Sequence, residues 1–80
     1  MNYLLEIDNI IEILAKANKL SCSEEIAELK ASASTGTELL MTVTHRLMQM
    51  ITQDKQIEEL IGEEVNGLVS FCNSIGLNII

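Results

Sequence analysis

The 80-residue sequence predicts an all-α domain, a compact bundle of three long helices and one short helix over residues 1–80, and three observations predict it. Apolar residues recur at three- and four-residue steps wherever they are dense, and no segment alternates over the length of a strand. Proline is absent and glycine occurs only four times, so nothing in the chain forbids long helices. Hydrophobic residues make up 48% of a chain whose net charge is −7. That pairing belongs to strongly amphipathic elements, not to a disordered acidic tail.

The first helix is expected from about Asn2 to Asn18, where Tyr3, Leu4, Ile7, Ile10, Ile11, Leu14 and Ala17 form one broad apolar face. Glu6 and Asp8 near its start and Lys16 and Lys19 near its end follow the order that the helix dipole favours. Ser21 and Glu24 then have the spacing of a capping box and open a short second helix, roughly Ser23 to Ala31, with Ile26 and Leu29 on one side. The small residues Ala31-Ser-Ala-Ser-Thr-Gly36 have turn chemistry and little to bury, so they form the main loop.

Thr35 and Glu38 repeat the capping-box spacing and start a third helix from about Gly36 to Ile51 or Thr52. Leu39, Leu40, Met41, Val43, Leu47, Met48, Met50 and Ile51 cover more than half of its circumference, which predicts a central position. Its polar strip holds Glu38, Thr42, His45, Arg46 and Gln49. The last helix begins near Asp54, an N-cap, and carries Ile57, Leu60, Ile61, Val65, Leu68, Cys72 and Ile75 inward. Gly76 ends it in a Schellman turn with Leu77 folding back on Cys72 or Phe71, and Gly62 and Gly67 inside it predict a kink or a close helix approach.

Composition excludes several functions. Lys16, Lys19, Lys30, Arg46 and Lys55 are too few and too scattered for a phosphate-binding stripe, so neither nucleic acid nor an anionic membrane is an expected partner. No apolar run reaches the ~20 residues of a membrane span, and the start lacks the pattern of a signal peptide. A cytoplasmic location with Cys22 and Cys72 reduced is expected. The single histidine, His45, follows Thr42 rather than a glutamate at the Glu-x-x-His spacing, so no metal site is read. Cys72 faces inward and His45 outward, which opposes a Cys–His nucleophile. No glycine-rich phosphate loop is present, and no cofactor is expected.

The segment Glu38-Leu39-Leu40-Met41 is similar to the helix that follows the phosphopantetheine-bearing serine of acyl carrier proteins, which are also small, acidic and helical. Their Asp-Ser-Leu signature is replaced by Ser34-Thr35-Gly36, and no acid precedes Ser34, so no family is assigned.

The reading that remains is a non-enzymatic protein–protein interaction module. The apolar arc of the third helix is too wide for one neighbour, and Met41, Met48 and Met50 supply an adaptable contact face. Self-association into a homodimer through the third and fourth helices, with Ile79 and Ile80 adding apolar surface, is the expected outcome. Glu64 lies seven residues from both Ile57 and Phe71 and is expected partly buried, where it either takes a donor from Arg46, Tyr3 or a backbone amide or takes up a proton. The other reading of Glu64 is a rim position from which it reaches water. The alternative is an acidic inhibitor or decoy whose twelve carboxylates block a basic site on a toxin, nuclease or DNA-binding protein.

Overall fold

The computed structural model describes residues 2–77, and places four helices in the order α1 (Tyr3–Lys16), α2 (Leu20–Ser32), α3 (Gly36–Gln53) and α4 (Lys55–Ser74). Each helix packs on its neighbours in sequence, and α4 closes back on α1, so the four make a ring around one core. One end of the bundle gathers the α1–α2 and α3–α4 connections, where Lys19 Nζ donates to Gln56 Oε1 at 2.8 Å and pairs with Asp54. The other end gathers the start of α1, the start of α3 and the end of α4, where the Tyr3 and Phe71 rings stack at 5.8 Å and the Tyr3 hydroxyl lies over Gly36. The helices therefore run alternately up and down, as short connections require.

The core follows the helical periodicity. Ile7, Ile10 and Leu14 come from α1, Ile26 from α2, Leu39, Leu40, Val43, Leu47 and Met50 from α3, and Ile57, Ile61, Val65, Leu68 and Cys72 from α4. Leu4 and Ile75 depart from the expectation and are exposed, because Leu4 lies at the edge of the α1 face and Ile75 is the C-cap residue beyond the last packed turn. Thr44 is fully buried although polar, with its hydroxyl 3.9 Å from the Cys72 sulfur of α4. Both cysteines are free thiols.

Three caps expected from the sequence are present. Asp54 Oδ1 accepts from the Gln56 and Ile57 amides at 2.9 and 3.4 Å, and the same residue ends α3, its own amide donating to Met50 O. Thr35 Oγ1 accepts from the Glu38 amide at 3.1 Å, while Glu38 reaches back to the Ser34 amide, one residue earlier than a strict capping box. At the end of α4, Gly76 has φ +87°, its amide donates to Asn73 O and the Leu77 amide to Cys72 O, which is the Schellman pair.

The second helix differs from the expectation at its start. It begins at Leu20, and Lys19 is its N-cap without a side-chain acceptor, so Ser21 sits inside the helix and caps nothing. The cause is Asn18, which takes φ 63° and lets α1 end in a second Schellman turn: Asn18 N–H to Ala15 O and Lys19 N–H to Leu14 O. Reversing the chain over Ala17, Asn18 and Lys19 brings α2 in early and turns Ser23 inward, where its hydroxyl donates to Ile11 O at 3.0 Å. At 13 residues α2 is still the shortest helix. The α4 helix is unbroken at Gly62, where a Cβ would meet only Glu58 of the same helix at 3.6 Å, so no close helix approach occurs there.

Candidate interaction surface

The buried arc of α3 runs from Leu39 and Met50 through Val43, Leu47 and Leu40 to Thr44; Met48 and Ile51 are half-buried against the core, and Met41, Thr42, His45 and Gln49 are exposed. Arg46 borders this arc on the α2 side and donates to Glu25 through Nε and Nη2 at 2.5 and 3.2 Å. This forked pairing draws the Glu25 carboxyl below the ordinary glutamate range and raises the guanidinium. Arg46 Nη1 also donates to Gln49 Oε1 at 3.3 Å. That contact turns the Gln49 amide nitrogen toward His45 Nε2, 3.3 Å away, and makes the ring nitrogen the acceptor.

Between α2 and α3 this polar chain borders a groove of about 430 Å³, with Leu29 and Met41 as its large apolar side chains and Thr42 beside them. Met41 is 40% exposed, a large apolar residue left outside its own core. The arrangement offers apolar contact with a polar rim, the composition of a protein contact surface. Among the described residues no group of acidic, histidine and cysteine side chains could hold a metal ion, and no helix is long and apolar enough to cross a membrane.

The residues singled out from the sequence do not form one patch. Met41 faces the groove, whereas Met48 is half-buried and packs against the core. Met50 is 3% exposed and belongs to the core, because the bundle takes the Leu39–Met50 edge of the α3 arc and leaves the Met41 edge outside. Met50 therefore offers no surface to a partner. Glu64 is half-buried as expected, on α4 beside Glu6, Glu63 and Gly67, while Arg46, one of its expected donors, is engaged with Glu25. Ile79 and Ile80 lie outside the described residues. Leu29 and Glu25 were not expected at the surface site. A hydrophobic periodicity places Leu29 inward and cannot say that α3 leaves it at the rim, and a contact between Glu25 and Arg46 has no fixed spacing in sequence.

No protein-family model, curated protein or solved structure matches the chain.

Proposed function

We propose that the protein is a non-enzymatic protein–protein interaction module that self-associates through the outer surface of α3, with Met41 at the centre of the contact. The supporting observation is the exposure of Met41 beside Leu29 in the α2–α3 groove. A two-fold contact there sets Met41 of one copy against the groove of the other, and the flexible thioether adapts to either surface. The contact includes α2, because Glu25 and Leu29 of that helix line the groove that Met41 borders. A cytoplasmic location and the absence of nucleic-acid partners belong to the same reading. Light scattering after size exclusion at micromolar concentration is expected to give a dimer mass, and Met41→Lys to give a folded monomer. A monomer mass for the unaltered chain sinks self-association.

One observation favours a second reading. All five cations pair with carboxylates, so the net charge of −7 rests on carboxylates without a cationic partner among the described residues, Glu6, Glu24, Glu28, Glu59, Glu63 and Glu64 among them. Such a surface suits an acidic inhibitor of a basic site. A complex made that way weakens steeply as salt rises, whereas a contact centred on Met41 hardly responds.

A further inference from the structure

We infer that α2 is a latch, a helix that opens and closes as a unit on a bundle that stays folded without it. Its apolar anchorage is thin. Ile26 is its only apolar side chain in the core, against three in α1 and five each in α3 and α4. Leu29, Cys22 and Ala33 pack only at the margin.

The remaining attachments are polar. Ser23 donates to Ile11 O of α1, Lys30 pairs with Asp8 of α1, and Glu25 pairs with Arg46 of α3. The Asp8 and Glu25 side chains are 53% and 42% exposed, so water competes for both ion pairs and each contributes little. Local bonding does not compensate. The N-cap of α2 has no side-chain acceptor, and its C-cap Ala33 is in extended conformation with no capping turn. The other three helices stay joined when α2 leaves, because α4 packs on both α1 and α3.

Opening uncovers the sides of α1 and α3 that Ile26 closes, and it removes Leu29 and Glu25 from the groove wall. The latch stands without the reading of that groove as a contact surface. Where that reading holds, closure of α2 completes the surface and opening dismantles it.

Hydrogen exchange by mass spectrometry on the full chain tests this. Amides of residues 24–32 are expected to exchange at least about a hundredfold faster than those at the centres of α3 and α4. Equal protection in α2 and α4 overturns the latch. In the double variant Lys30→Gln, Arg46→Gln, exchange in α2 is expected to rise a further ~2- to 30-fold with α4 unchanged. A parallel rise in both helices means that the bundle opens as one body and overturns the proposal. Should the variant fail to fold, the comparison within the unaltered chain still decides. Oligomeric state is not the readout, so loss of the dimer and loss of the latch are separate results.

Discussion

The two ends of the bundle are built on different chemistry. At the connected end, two chain reversals are held by Asn18, by Asp54 serving as the last cap of α3 and the first of α4, and by Lys19 bonded across to Gln56. At the open end, the Tyr3–Phe71 stack, Leu77 and the tight seat of Gly36 under the Tyr3 hydroxyl are added to the Thr35, Glu38 and Gly76 caps, and Leu4, Leu5 and Ile75 are exposed around them. Short connections force orphan amides and carbonyls into close quarters and need polar caps. At the start of α1 and the end of α4, where the chain does not turn back, the packing of Tyr3, Phe71 and Leu77 closes the bundle.

Phe71→Ala tests that difference at its largest. It removes the stack on Tyr3 and half-buried ring area, and is expected to cost about 2–3 kcal/mol, the lower side of full core truncations because the ring is only partly buried. Chemical denaturation measures it. A loss below that of Asp54→Ala would mean that the open end contributes less than the connected one.

Asp54→Ala comes next, removing acceptors for two amides, and is expected to lower Tm by about 4–8 °C. Ser21→Ala, at a position with the sequence signature of a cap and no capping contact, is expected to leave Tm nearly unchanged. Equal losses at the two positions would restore Ser21 as a cap.

Acid sharpens the comparison further. Partial burial pushes the Asp54 carboxyl up, but the Gln56 and Ile57 amides and Lys19 outweigh it and hold it below the ordinary aspartate range. Its contribution is therefore present above that ordinary range and is lost as pH falls through the lower folded-state value. Backbone amide shifts followed by NMR during acid titration are expected to move at Gln56 and Ile57 only once the pH has fallen below the ordinary aspartate range.

The smallest effect belongs to Asn18. In the left-handed region a side chain is disfavoured, though asparagine less than most, so Asn18→Gly is expected to change stability by a few tenths of a kcal/mol, toward greater stability. A loss above about 1 kcal/mol in the same denaturation assay would assign the Asn18 side chain a contact of its own.

Local chemistry made much of this legible in the sequence. Gly76, Asp54 and Thr35 have types that suit few other positions, and Ile7, Ile10 and Leu14 leave α1 a single burial face. Ser21 and Glu24 show the limit: their spacing matches a capping box, but Asn18 reverses the chain earlier and leaves both inside the helix. The arc of α3 shows another. A wheel puts Met41 and Met50 at opposite edges of equal apolarity, and only the placement of α2 and α4 decides that Met50 goes in and Met41 stays out. Thr44 was hidden for the same reason, its burial depending on the Cys72 sulfur across the helix pair. The surface site was less legible than the fold, because Leu29, Glu25 and Arg46 meet only through tertiary packing.

The positions of the two thiols give the molecule its own clocks. Cys22 is half-buried on α2, and Cys72 is sealed in the core against Thr44. An alkylating reagent therefore reaches the first sulfur through motions of one helix and the second only through disruption of the core. Timed labelling followed by intact mass then separates molecules carrying one adduct from those carrying two, and reads local and global opening from a single sample with no residue changed.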